Sequence, residues 1–280
     1  LNLDAGETKI VELTVTNRLG SDKTFVISEE DLTGSENPEQ PVILLGDDRG
    51  PYSLKDYIRP SETSFNIPNG YRAKIPVTVS IPTGAEPGGL YGSLVVGMTA
   101  AGTKAESAGG TATTNALVSR IGTLFFVRVK GQARESGRLE GFALSGESTY
   151  VLDPADLAFS LVYRNDGNVS LNPYGVITVT NIIGSTVGVI QVEPWYALPR
   201  SLRYRQVKWR PAFMFGFYRA TASINPGYGG DRDKLAVSFW VLPWRVIIVT
   251  LAGLLVIIAL VKRFILKRSK NWKFKNQNEK

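Results

Sequence analysis

Residues 246–261, VIIVTLAGLLVIIALV, contain no charged side chain, and Thr250, Gly253 and Ala259 are among the few breaks in their run of large aliphatics. Continued as a helix through Lys262 and Arg263, whose stems can snorkel, the run reaches Leu266. That gives about 20 residues, enough to cross roughly 30 Å of hydrocarbon. A buried core helix would show one apolar stripe, whereas this segment is apolar on all sides and a basic stretch follows at once. The pattern predicts a transmembrane helix over 243–266. A long N-terminal region would then stand on one side of a bilayer and a short tail on the other.

The flanking charges orient such a span. Lys262, Arg263, Lys267, Arg268, Lys270, Lys273, Lys275 and Lys280 follow it against the single acid Glu279, while Arg245 beside Trp244 is the one cation immediately before it. The positive-inside rule places the 267–280 tail in the cytoplasm and the N-terminal region outside, a single-pass arrangement in the cell membrane. Trp244 suits the outer interface, with Arg245, Lys262, Arg263, Lys267 and Arg268 completing the anchor. An N-out chain normally needs a cleaved signal peptide. None is visible and the chain opens at Leu1, so the sequence reads as a processed or trimmed product.

The formal charge of +7 belongs to this tail. Eight of the 32 cations and one of the 25 acids lie from Lys262 onward, which leaves 24 of each before it. The N-terminal region is therefore neutral, and nucleic acid is not an expected partner. Cysteine and histidine are both absent. Disulfides, thiol nucleophiles, Cys or His metal sites and a Ser-His-Asp triad are all excluded. No catalytic role, cofactor or metal is expected.

Before the span, short alternating runs are separated by turns. Residues 9–17 (KIVELTVTN) place Val11, Leu13 and Val15 on one face, and 71–81 (YRAKIPVTVSI) place Ala73, Ile75, Val77, Val79 and Ile81 on one face. Pro76 points to an edge strand or a bulge. Residues 29–69 are polar and Pro-rich, a long insertion with a short helix near 53–58. Residues 99–115 are small and polar, an exposed loop. Further strands are expected at 93–98, 117–130, 138–145, 157–165, 176–180, 186–192, 204–209, 217–224 and 235–241. VELTVTNRLG and FSLVYRNDGN echo each other, a strand followed by Asn and a turn. The expected class is all-β: two tandem immunoglobulin-like β-sandwich domains, over 1–133 and 134–242, followed by the one transmembrane α-helix.

Several stretches admit both a structural and a functional role. The glycines of Pro87-Gly88-Gly89-Leu90-Tyr91-Gly92 can present backbone donors to a ligand, but a corner between sheets is favoured. Glu29-Glu30-Asp31, Asp47-Asp48 and Asp153 with Asp156 lack calcium-loop spacing and read as solvated loops or turns. Asn168-Val169-Ser170 fits a glycosylation sequon, and Gly253 lacks the second small residue of a helix-dimer motif. Trp195, Tyr196, Arg203, Tyr204, Arg205 and Trp209 combine aromatic faces with guanidinium groups, a composition suited to sugar or peptide recognition. The competing role for that set is a core tryptophan with exposed basic neighbours.

The strand-plus-Asn opening, PTGAEPGGLYGSLVV, IGTLFFVRVKG, and a last strand running through PWR into a span resemble the WxL-interacting protein family of bacterial cell-surface proteins. The resemblance implies two immunoglobulin-like domains, one transmembrane helix and a short basic tail. It further implies non-catalytic binding of cell-wall peptidoglycan or surface-protein partners. The alternative is an accessory subunit of a larger envelope complex assembled through its sandwiches.

Overall fold

A computed structural model describes residues 1–98, 119–146, 149–152, 157–211, 214–229 and 231–277, with side chains in the C-terminal helix described at 244 and 248–263. The loop at 99–115 and the pair Asp153 and Asp156 lie outside the described residues. The first half contains strands β1 (Asn2–Leu3), β2 (Thr8–Thr16), β3 (Lys23–Gly34), β4 (Val42–Leu44), β5 (Ile58–Pro60), β6 (Ser64–Ile67), β7 (Arg72–Ser80), β8 (Gly88–Met98) and β9 (Arg120–Val129). One sheet has the order β1-β9-β8-β3-β4 with β6 also on β3, and it faces a second sheet ordered β2-β7-β5. Leu94, Val127, Val129, Ile75, Val77 and Val79 meet between them, one from every second residue of each strand, as the pleat demands.

The second half contains β10 (Gly137–Leu144), β11 (Tyr150–Val151), β12 (Ala158–Asn165), β13 (Tyr174–Asn181), β14 (Thr186–Val192), β15 (Ser201–Lys208), β16 (Gly216–Asn225) and β17 (Asp233–Val241). Its sheets are ordered β10-β12-β15 and β11-β17-β16-β13-β14. Phe159, Leu161, Tyr163, Ile177, Ala222 and Phe239 fill the space between them.

Three strand-level expectations change. Residues 29–69, read as a long insertion, hold the end of β3 and all of β4, β5 and β6. The Pro76 strand is not an edge: β7 lies between β2 and β5. Asn17 donates to Tyr71 O and Ile81 donates to Glu7 O, so odd-numbered residues of β7 bond to β2 and Pro76 faces the other side. The last β5 pair is Pro60 with Val77, and Ser61 comes next, opposite Pro76. Ser61 N donates to the Pro76 carbonyl at 2.8 Å, while the reciprocal bond that the missing N–H would make is absent, and the β5–β7 ladder stops there. The acids at 29–31 are not in a solvated loop. They lie inside β3, Asp31 is fully buried, and its carboxylate accepts from the N–H groups of Gly50 (3.1 Å), Leu54 (3.1 Å) and Lys55 (2.9 Å). Asp31 thereby folds the 45–57 loop, including the 3₁₀ turn Lys55–Tyr57, back onto its own strand.

The echoed Asn motifs become the same buried structure in each sandwich. Asn17 Nδ2 donates to Ser21 O (2.9 Å) and Ile67 O (2.8 Å), and its Oδ1 accepts from Leu19 N (3.1 Å). Asn165 Nδ2 donates to Val169 O (2.8 Å) and Ala197 O (2.8 Å), and its Oδ1 accepts from Gly167 N (2.9 Å). In each case an Asx turn bonds at i+2 and i+4 and then reaches one distant carbonyl, so a local turn is tied to the opposite sheet's connections.

A single helix, α1 (Trp244–Gln277), leaves the end of β17 through Pro243. It continues past 266 through the basic segment that the sequence reading assigns to a tail. No Gly or Pro occurs between Leu254 and Gln277 to stop it. Among the described residues, whose helix side chains are Trp244 and 248–263 alone, no helix is long and apolar enough to cross a membrane. Its described side chains from Ile248 to Arg263 are all exposed, including Leu254, Leu255, Ile257 and Leu260.

Candidate binding surfaces and the joint between the sandwiches

The six aromatic and basic residues do not form one open surface. Trp195 belongs to the second core, its ring edge-on to Tyr163 at 6.2 Å. Trp209 lies against Gly188, where a Cβ would stand 2.3 Å from its ring, and so closes the side of the same sandwich. On β15, Arg203 and Arg205 pair in register with the buried Tyr163 and Leu161, so they share the inner face of that edge strand. Tyr204 turns the other way, within 3.0 Å of Ser160 Oγ. Tyr196 is half-buried, with the Arg203 guanidinium 4.8 Å from its ring centre. Of the anchor set, Trp244, Lys262 and Arg263 are exposed, and the side chains of Arg245, Lys267 and Arg268 lie outside the described residues.

Tyr196 and Arg203 instead help build a joint between the two sandwiches. Rings stack edge-to-face from Tyr52 to Tyr91 (6.2 Å), Phe126 (5.5 Å) and Tyr196 (5.4 Å). Leu32 and Leu198 are buried with them. The glycine corner serves this joint: Gly89 N donates to Asn168 O (2.8 Å), and Asn168 Nδ2 donates to Pro87 O (3.1 Å). Asn168 of the sequon is thus held in a protein contact. Tyr91 Oη accepts from Ser170 N at 2.5 Å, and burial pushes the Tyr91 hydroxyl up to about 12. Leu202 and Tyr204 on the open edge of β15 donate to Ser35 O (2.9 Å) and Pro38 O (3.2 Å) of the first sandwich. Gly34 lies so close to Ser201 that a Cβ would stand 2.5 Å away. Backbone bonds at two separate places, with a ring stack between them, fix the angle of the two sandwiches.

The chain also leaves an opening in the first sandwich. A cleft of 290 Å³ lies between β2 and the start of β9, lined by Leu13, Val15, Phe25, Val96, Met98 and Ile121. Ile121 is in phase with the buried Val127 and Val129, yet it is 72% exposed. Among the described residues β2 pairs only with β7, and β9 pairs on its outer edge with β1 only at Arg128 and Val129. Two strand edges therefore border an apolar cleft. Alternation gives Ile121 an inward position, and among the described residues no strand walls the cleft beside it. A larger cleft of 660 Å³ at the joint holds Arg128 and Lys130, but each is paired, with Glu135 at 2.7 Å and Asp4 at 2.8 Å.

No family model matches the chain, and no curated protein matches it. Solved structures do. The class 5 fimbriae chaperone CfaA is 11% identical with a TM-score of 0.36, covering 85% of this chain and 95% of that one. The CupB2 chaperone of Pseudomonas aeruginosa is 10% identical with a TM-score of 0.36, covering 86% and 96%. A CsuC–CsuE chaperone and tip-subunit complex of Acinetobacter baumannii is 11% identical with a TM-score of 0.37, covering 86% and 94%. Strand pairing gives each half of the chain two sheets, the two layers of an immunoglobulin-like sandwich. Among the described residues no group of three or more Asp or Glu is placed to hold a metal ion.

Proposed function

We propose that this chain is a non-catalytic binding protein of a bacterial envelope, held at a membrane by α1, whose first sandwich takes up an extended segment of a protein partner. Membership of the WxL-interacting family and the N-out, single-pass orientation are parts of the same proposal. The observation that carries the binding reading is Ile121, a core-phase side chain 72% exposed between two strand edges that have no partner there among the described residues. An extended peptide with alternating apolar residues matches that opening, because its backbone can bond to an edge while every second side chain enters the cleft. Peptidoglycan recognition loses its best-placed residues, since Trp195 and Trp209 support the core and Tyr196 the joint. The fixed joint suits a protein that holds its partner at a set distance from the membrane. The anchor is supported by the uncharged 246–261 run, the aliphatic side chains exposed all around α1, and the cations that follow.

The test is co-purification of the full chain from a detergent extract of its own cells, beside sedimentation with purified cell-wall sacculi. A stoichiometric protein partner that is lost with Ile121→Asp and kept with Lys234→Ala is the expected result. Saturable retention on sacculi, indifferent to Ile121→Asp, overturns the reading in favour of a wall-glycan binder.

A further inference from the structure

The second sandwich ends, beside the start of α1, in a belt of aromatic and aliphatic side chains. Trp240 pairs in register with Tyr150 of β11 on one side and with Phe217 of β16 on the other. Residues directly opposite share a face of the sheet, and Tyr218 and Phe239, one step along, are buried inside. Tyr150, Trp240 and Phe217 therefore lie side by side on the outer face, with Phe217 and Trp240 edge-to-face at 5.4 Å.

The row continues onto the next strand. Asn181 is opposite Tyr218, so the β13–β14 turn places Ile182 and Ile183 at the level of Phe217 and Gly216. These two are 76% and 81% exposed at the tip of a hairpin, Tyr174 to Val192, that carries no charge. From β11 to β13 the row spans about 14 Å, three strand spacings. Closer still to the helix, Phe215 precedes β16 and Leu152 follows β11, both near the level of Leu242 and both exposed. Leu242 stands two residues, about 7 Å of extended chain, before Trp244. The headgroup layer outside the hydrocarbon is about 5–7 Å deep on each side. Phe215 and Leu152 thus fall at its outer boundary, and a lean of the sheet toward the bilayer brings in the Trp240 row. On the neighbouring sheet, Lys208 and Arg210 are exposed near the same end, since Val207 pairs with Phe159, whose ring meets Phe239 at 6.0 Å.

We infer that this end of the second sandwich is a second membrane contact. The outer face of the five-stranded sheet lies against the lipid interface, with Phe215 in the headgroup layer and the row from Tyr150 through Trp240 to the Ile182–Ile183 tip brought to it by the lean. Aromatic rings with one polar edge favour that layer, and the uncharged hairpin loses no hydrated charge on entering it. Lipid is the occupant that the geometry favours because every residue of the belt sits at the end where the proposed anchor leaves the sandwich. The inference rests on the anchor reading and adds that the ectodomain leans on the bilayer rather than standing clear of it.

The absence of cysteine makes single-site labelling clean. The full chain carrying Ile183→Cys, Phe215→Cys or Lys234→Cys is labelled with an environment-sensitive fluorophore and reconstituted into phospholipid vesicles containing spin-labelled lipid. Lys234 pairs with Ser223, toward the far end of the same sheet, and serves as the reference. The expected result is co-flotation with vesicles, with blue-shifted emission and several-fold stronger lipid quenching at 183 and 215 than at 234. Ile182→Asp should weaken quenching at 215 without changing the circular dichroism. Flotation with equal, water-like signals at all three positions overturns the inference and leaves the anchor standing. A blue shift without lipid quenching assigns the belt to a protein contact and also overturns it. Failure to float removes the anchor and the inference together.

Discussion

Replacing Asn165 with alanine removes two donated hydrogen bonds and one accepted bond from a side chain with no solvent access. Ala197 O keeps a second donor, Leu171 N at 3.0 Å. Val169 O and Gly167 N then lose the partner that Asn165 supplies. A buried polar group left unsatisfied costs about 1–3 kcal/mol, so the two together cost roughly 2–6 kcal/mol. Asn165→Asp keeps an acceptor for Gly167 N but turns an oxygen toward two carbonyl oxygens. Its carboxyl pKa in the folded state must rise above the usual value near 4, since only the protonated form can donate. The folded state then holds the proton more tightly than the unfolded state, so the Asp variant loses stability as pH rises from about 4 and regains it on acidification. The Ala variant shows no such recovery. All five tryptophans lie at or after Trp195, so urea unfolding followed by tryptophan emission reports the second half of the chain, while circular dichroism reports both sandwiches. Asn165→Ala should move the tryptophan transition to lower urea, and Asn17→Ala should act first on the part seen only by circular dichroism. A midpoint for Asn165→Ala indistinguishable from the parent, or an Asp variant as weak at pH 4 as at pH 7, would refute the claim that this Asn stitches the turn to the opposite sheet.

Asp31→Asn leaves one acceptor oxygen for three N–H groups, and the new amide N–H₂ opposes at least one of them. The expected loss is about 1–3 kcal/mol, with faster proteolysis of the 45–57 loop while the sandwich stays folded. Gly188→Val forces the Trp209 ring off β14, so tryptophan emission should shift to the red and thermal stability should fall. Burial holds the Tyr91 hydroxyl at about 12 in the folded chain, above its usual value near 10. The unfolded chain therefore loses this proton first, and stability falls between about pH 10 and 12; Tyr91→Phe should flatten that part of the profile while costing the bond from Ser170 N.

The features legible in the sequence are those decided within about a dozen residues. The strand alternation in 9–17 and 157–165 sets which faces are buried, and the repeated strand-Asn-turn pattern marks the one side chain that each sandwich uses in the same way. What the sequence hides depends on which backbone groups have partners far away. Pro76 argues for an edge because its missing N–H cannot serve a neighbouring strand, and the chain meets this by turning that side toward β5, whose ladder ends there, while the pairing with β2 runs past Pro76 unbroken. Glu30 and Asp31 look solvated because acids rarely enter a sheet, yet three backbone N–H groups from a loop some twenty residues away make the burial of Asp31 favourable. Trp195 looks like a recognition residue for the same reason that it works as a core residue: it is large and flat. Nothing in its immediate neighbours distinguishes the two.

The joint accounts for the crowding of aromatic and glycine residues that gives the sequence its look of a binding site. The open edge of β15 is a hazard for uncontrolled strand pairing, and the first sandwich occupies half of it through Ser35 and Pro38, while Arg203 and Arg205 turned inward discourage pairing on the rest. Gly34 against Ser201 and Gly88 against Asn168 permit this close approach, and Gly89 leaves room for the Tyr91 ring of the joint, so they serve the contact between sandwiches rather than a ligand. On the proposed reading, a pull by a partner in the β2–β9 cleft would reach β15 through these backbone bonds and pass by way of the second core and β17 to α1. If the joint were a loose hinge, disrupting it would leave partner capture unchanged and only alter reach. If the fixed angle matters, Gly34→Val, which cannot be accommodated against Ser201, should weaken co-purification of a partner bound more than one strand length away from the altered residue. The sign of that single result separates a tether from a strut.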